Sequence, residues 1–231
     1  PHPDDECITG LLPLRLREEC GFRIRVVPVT LGSLESRRAE RRRELKAACR
    51  ELDFHPWFPP ANADGAATPG GLRSWLLEIR PDVVILPHAR DGHPTHRRVH
   101  RISLAALDAA RGVEWNVVET EYWHPLERPN LMVAADTAQL ARLCRALACH
   151  AGENARNPYA ERLPAWMIDN VRRGAELVGG PGAVAPDMAF ATLYRARRRV
   201  NGTWTSAFRG TRIIESSEDL GALASRWRRA R

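Results

Sequence analysis

The chain reads as an α/β fold: a Rossmann-like, mostly parallel sheet with helices on both faces, organised as one domain over residues 1–231. Three observations predict it. Strand-like and helix-like segments alternate through the first half, the order that builds right-handed crossovers and a parallel sheet. The segment PDVVILPH at residues 81–88 holds a continuous apolar run, as a strand covered on both faces requires. The length of 231 residues, 44% of them hydrophobic and 27% charged, suffices for one large core.

The elements follow in order. Behind PHPDDE at residues 1–6, residues 6–19 carry Ile8, Leu11, Leu12, Leu14 and Leu16 at roughly helical spacing. Gly21 stops that helix, and Pro13 kinks or breaks it. Residues 22–30 (FRIRVVPVT) are rich in β-branched side chains and read as a strand. Residues 36–52 mix arginine with glutamate and have few apolar positions, which predicts an exposed helix laced with ion pairs. A short extended segment follows around residues 54–58, and PPANADGAATPGG at residues 59–71 is an irregular loop. Residues 72–79 form a short helix, 81–88 a strand and 95–110 a helix. Beyond these come strand candidates at 113–123 and 130–136 and helices at 137–150 and 159–178. Residues 188–198 form a strand or a helix, and a polar helix is expected from residue 217. No internal repeat or linker appears.

Composition narrows the function. The net charge is +7 and the sequence pI about 9.8, but the arginines fall in dispersed clusters at 41–43, 197–199 and 226–231. Few aromatics interleave them, so nucleic acid is not an expected partner. No apolar run approaches a membrane span, and no charged leader with a short apolar segment marks secretion. Five cysteines without C-x-x-C spacing argue against a disulfide framework and a thiolate zinc site. Reduced, mostly buried thiols in a cytoplasmic protein are expected.

PHPDDE crowds three carboxylates beside an imidazole. Like charges that close repel unless a cation or a shared proton compensates. A second histidine-bearing segment, residues 88–100, follows the apolar strand, where ligands collect in such sheets. Together the two segments offer enough nitrogen and oxygen donors for a metal. A catalytic zinc takes three protein ligands from His and Asp/Glu and leaves a position for water.

These residues resemble the LmbE-like or PIG-L family of zinc-dependent N-acetylglucosaminyl de-N-acetylases, whose signatures are [A/P]-H-P-D-D-E and a later H-P-D-H. The first is complete at residues 1–6. The second stands as HPTH at residues 93–96, with Thr95 where the family has Asp. Arg41-x-x-Glu44 and the order of elements extend the likeness, which fades past residue 136. The resemblance implies His2, Asp5 and His96 as ligands of zinc or another divalent ion. It implies Asp4 as general base, His93 as the catalytic histidine at the oxyanion, and Arg41 as a sugar or anion contact. Asp91 is then the acid that has to compensate for Thr95. Asp64, in the Pro/Gly-rich loop, is a candidate for binding a sugar hydroxyl.

The implied activity is removal of an N-acetyl group from an N-acetylglucosamine-type amino sugar in a small glycoconjugate, as a monomer or a homo-oligomer. A non-catalytic carbohydrate-binding protein on the same fold is the alternative. The resemblance further implies a strand directly ahead of the first motif, so residues upstream of Pro1 are expected. Competing roles exist for several residues. Asp4 or Asp5 can cap the first helix. His100 can be a ligand or a packed histidine, while His55, His88, His124 and His150 read as structural. Arg41 can be an exposed helix arginine near Glu44. Tyr159 and Trp166 can line a sugar face or belong to the core.

Overall fold

The computed structural model describes residues 1–58 and 67–229. The first motif runs into a single helical turn, α1 (Asp5–Ile8), and then α2 (Leu11–Cys20), so the one helix expected here is two. The break falls at Gly10, where a Cβ would lie 2.1 Å from the Glu6 carbonyl oxygen. Pro13 is absorbed in the first turn of α2, where its missing N–H costs no helical bond. Leu11, Leu12, Leu14 and Leu16 are all fully buried, so α2 is covered on most sides. Arg15, 1% exposed, is buried with them. Its guanidinium donates to the carbonyls of Ala134 at 2.9 Å and Glu215 at 3.1 Å and pairs with Glu19, a satisfied buried cation that pins the C-terminal segment to α2. Gly21, at φ 67°, ends the helix as expected.

Of the predicted strand at 22–30, the Val29 carbonyl accepts the Ala67 N–H at 2.8 Å and β1 (Arg25–Val26) pairs in parallel with β2 (His55–Pro56). Between them lies α3 (Glu35–Leu52), which is not the exposed helix expected. Arg41, Glu44, Leu45, Ala48, Cys49 and Leu52 recur at helical spacing and form a buried face. α4 (Pro69–Ile79), with Thr68 accepting the Gly71 N–H as N-cap, leads to β3 (Val84–Pro87), and α5 (Pro94–Ala109) to β4 (Trp115–Thr120). The second half contributes β5 (Leu131–Ala135), α6 (Thr137–Ala148), α7 (Ala151–Arg156), α8 (Tyr159–Gly179), β6 (Phe190–Val200), β7 (Thr203–Ser206), β8 (Arg212–Ile214) and α9 (Gly221–Trp227).

The larger sheet has the order β3-β4-β6-β5-β8, with β7 on β6. It is mixed, which corrects the mostly parallel sheet expected: β3–β4 and β5–β8 are parallel, whereas β6 runs antiparallel to β4, β5 and β7. The segment at 188–198, expected as a strand or a helix, is a strand, β6, whose direction no local pattern carries. Direction is set by the end of the sheet at which α8 releases the chain. Every residue of β4 and β5 is buried, and the main core packs α2, α3, α6 and α8 against these strands.

β1 and β3 are each edge strands among the described residues, and a cavity of about 990 Å³ separates the two sheets. Leu72, Trp75, Leu76 and Leu107 line it, and Pro1 and His2 stand at one end. Several arginines of the basic clusters are engaged within the fold. Arg197 pairs with Glu119 and stacks 3.7 Å from the Trp204 ring centroid, Arg199 pairs with Asp108, and Arg42 lies 4.0 Å over Phe58. No helix among the described residues is long and apolar enough to cross a membrane.

Candidate metal centre

Two short segments build the site. The first is the turn ahead of α1. Asp4 sits at its N-cap with φ 117°, a conformation an aspartate rarely adopts, and its side chain makes no capping hydrogen bond. The backbone alone performs the cap: the Asp4 carbonyl accepts from Cys7 N at 2.9 Å and Ile8 N at 3.1 Å. Asp5 accepts the His2 backbone N–H at 2.7 Å. Glu6 turns back to accept the Asp4 N–H at 2.9 Å, and its other oxygen lies 2.7 Å from His150 Nε2. The third carboxylate therefore holds the strained backbone and has its own buried partner.

The second segment follows β3. Asp91, 1% exposed, accepts the His93 N–H at 2.7 Å through one oxygen and faces His96 Nδ1 at 3.2 Å through the other. His93 is the N-cap of α5, and its Nδ1 accepts the Thr95 N–H at 3.2 Å. That contact uses the backbone of residue 95, so it survives the Thr-for-Asp difference. It also assigns the proton of neutral His93 to Nε2.

The segments meet. His2, Asp5 and His96 offer ligand atoms that all lie within 4.8 Å of one another. His2 Nδ1 is 3.4 Å from Asp5 Oδ2, and His96 Nε2 is 3.4 Å from Asp5 Oδ1. Two imidazole nitrogens and one carboxylate oxygen could hold a metal ion, and they match the donor types that catalytic zinc takes; Asp91 stands behind His96 where an outer carboxylate would fix that ring's tautomer. His93 completes a ring of three imidazoles, its centroid 5.1 Å from His2 and 5.2 Å from His96.

The carboxylates and imidazoles of this cluster shift one another's affinity for protons. Burial works against charging His96, but Asp5 and Asp91 outweigh it and lift the imidazole to about 9. Burial likewise opposes the charge on Asp5, yet His96 and the His2 hydrogen bond hold it well below the carboxylate range. Asp4 goes the other way: burial, then Asp5 and Glu6, push it well above that range against the pull of Arg41. Burial lowers both His2 and His93.

The remaining candidates fall elsewhere. Arg41 is buried beneath the motif, where Nη2 donates to the Pro3 carbonyl at 3.0 Å and Nη1 to the Leu31 carbonyl at 3.4 Å. The expectation of an exposed helix arginine is thereby corrected. Asp64 lies outside the described residues. His100 faces the Pro87 carbonyl at 2.9 Å and is packed rather than gathered with the ligands. Tyr159 is buried against Tyr122, as is the half-buried Trp166, and the exposed aromatic beside His93 is Trp123. No local signal marks Trp123, because the strand end that delivers it reaches the site only through sheet pairing.

Residues 1–107 match the PIG-L family, whose model is described as GlcNAc-PI de-N-acetylase. The PIG-L match covers both histidine segments. A deacetylase of Rhodococcus opacus (strain B4), named for 1D-myo-inositol 2-acetamido-2-deoxy-alpha-D-glucopyranoside, is 34% identical over 93 residues, which are 36% of this chain and 29% of that protein. The chain thus spans less than a third of that relative. Among solved structures, the conserved protein TT1542 of Thermus thermophilus superposes with a TM-score of 0.64 at 20% identity, over 85% of this chain and 91% of that one. GalB of Pseudomonas putida, a 4-carboxy-2-hydroxymuconate hydratase, gives 0.64 at 18%, over 84% and 92%. The N,N'-diacetylchitobiose deacetylase of Pyrococcus horikoshii gives 0.60 at 16%, over 85% and 80%. These likenesses establish the fold, which hosts a hydratase as well as deacetylases.

Proposed function

We propose that this chain is a metal-dependent amide hydrolase that removes the N-acetyl group of an N-acetylglucosamine-type amino sugar in a small glycoconjugate. The observation that carries the reading is the convergence of His2, Asp5 and His96 within 4.8 Å beside a carboxylate, Asp4, that is spent on no cap. The PIG-L match supports the amino-sugar class, and the donor set favours zinc. When bound, zinc supplies a water acidified to a pKa of about 7 and a positive charge for the carbonyl oxygen.

The chain's own residues do the rest. Asp4, whose side chain makes no capping hydrogen bond, accepts a proton from the attacking water as a carboxylate and returns it to the leaving amine. His93, with Nδ1 engaged by the Thr95 N–H, presents Nε2–H to the developing oxyanion. Asp91 holds His96 in the tautomer that leaves Nε2 free. Arg41 braces the turn that carries Asp4 by holding the Pro3 carbonyl. Asp64 is kept as a candidate for a sugar hydroxyl.

The test measures zinc content and acetate release together. Wild type carries about one zinc per chain and releases acetate from an N-acetylglucosaminide. His96→Ala loses both, whereas Asp4→Asn keeps the metal and loses turnover. Acetate release by metal-free His96→Ala at the wild-type rate would falsify the assignment, and equal zinc loss in the two variants would make Asp4 a ligand.

A further inference from the structure

We infer that the exposed indole of Trp123 is the stacking platform for the sugar ring of the substrate, an inference that rests on the deacetylase reading above. Trp123 is 46% exposed and is the aromatic member of the large apolar side chains that reach solvent among the described residues. It lies at the site. Its ring centroid is 6.1 Å from that of His93, which in turn adjoins His2 and His96.

The indole is held there by its surroundings. The segment leaving β4 is fastened to the loop after β3 at three points: His88 Nε2 meets the His124 carbonyl at 2.9 Å, Arg90 pairs with Glu127, and Gly92 packs against the Trp123 backbone. A Cβ on Gly92 would sit 2.8 Å from the Trp123 carbonyl oxygen, so only glycine permits this approach. From below, buried Glu121 accepts the Leu126 N–H and pairs with Arg173 at 2.6 Å, closing the segment on itself. Tyr122 and Tyr159 meet the indole edge-on, with centroids 5.2 and 6.1 Å away. An indole fixed this firmly and left partly open is a preformed surface.

The chemistry of the ligand follows from the arrangement. A pyranose presents an apolar C–H face to an electron-rich ring while its hydroxyls stay in water. An acetamido group engaged at His93 leaves the sugar that bears it directed over the neighbouring indole. Trp123 therefore discriminates a ring-borne acetamide from an open-chain one.

Trp123→Ala and Trp123→Phe test this in the zinc-loaded enzyme with two probes, methyl N-acetylglucosaminide and the ringless amide N-acetylethanolamine. Binding of methyl N-acetylglucosaminide to the metal-free proteins is followed by saturation-transfer NMR. In the alanine variant KM for the sugar amide rises about tenfold with kcat within about twofold, turnover of the ringless amide is unchanged, and the NMR signal is lost. Phenylalanine restores most of the affinity. Unchanged KM and unchanged binding in Trp123→Ala overturn the platform, as does an equal loss on both amides, which would mean that the indole merely supports His93. If wild type hydrolyses neither amide, the deacetylase reading fails. The platform then stands if the metal-free wild type binds the sugar and the alanine variant does not, and falls if the wild type gives no binding.

Discussion

Replacing Asp91 by asparagine is a small change in volume with a large expected effect. The carboxylate is 1% exposed, accepts the His93 N–H at 2.7 Å and faces His96 Nδ1 at 3.2 Å. As an anion it can only accept, so Nδ1 of His96 keeps its proton, and Nε2, which faces Asp5, is the nitrogen that gives up its proton when a metal binds. An asparagine that keeps the His93 bond through its oxygen turns its NH2 towards Nδ1. The imidazole then answers with the other tautomer and places a proton on the nitrogen meant for the metal. Removing such an outer carboxylate costs roughly 10–100-fold in metal affinity, or about 1.4–2.8 kcal/mol. Because the tautomer argument penalises a donor more than a gap, Asp91→Asn weakens zinc at least as much as Asp91→Ala. The assay is a competition titration of metal-free protein against a chromophoric zinc chelator at neutral pH, with circular dichroism to confirm folding. Wild-type zinc affinity in a folded Asp91→Asn protein would refute the reasoning.

Three further outcomes follow from the same geometry. In the metal-free protein the His96 ring titrates near 9 while His2 and His93 titrate below 6.5, which NMR of the imidazole protons reads directly. Since His96 is raised above its unfolded value of 6.5, its share of stability, at most roughly 3 kcal/mol, is complete below pH 6.5 and lost as pH rises through about 9. Gly10→Ala drives a Cβ to 2.1 Å from the Glu6 carbonyl and lowers stability by about 1–3 kcal/mol, with zinc binding weakened because the distorted turn carries Asp5; denaturant melts and the chelator titration check it. Leu14→Ala, fully buried on α2, costs about 2–5 kcal/mol in the same melts without changing zinc affinity per folded molecule.

The sequence by itself determined what depends on local chemistry. The apolar run of β3, the α5 that follows it and the glycine that ends α2 were legible because a strand buried on both faces, a cap and a left-handed stop each leave a short-range signal. Crowded carboxylates beside His2, with His93 and His96 after β3, mark the candidate cation site in the sequence, and the fold brings His2, Asp5 and His96 within 4.8 Å of one another. Tertiary structure decided the rest, because it depends on which distant segments share a surface. The buried face of α3 was hidden, since Arg41 is covered by the turn at Pro3 and Glu44 by α7, segments far from that helix in the chain. The antiparallel course of β6 was hidden because a strand's residues do not encode which way it runs beside its neighbours. Glu6 finds His150, and Trp123 finds His93, across separations that no periodicity spans. A sequence specifies which atoms can bind an ion or a sugar, whereas distance and burial, which determine whether they do, are properties of the folded chain.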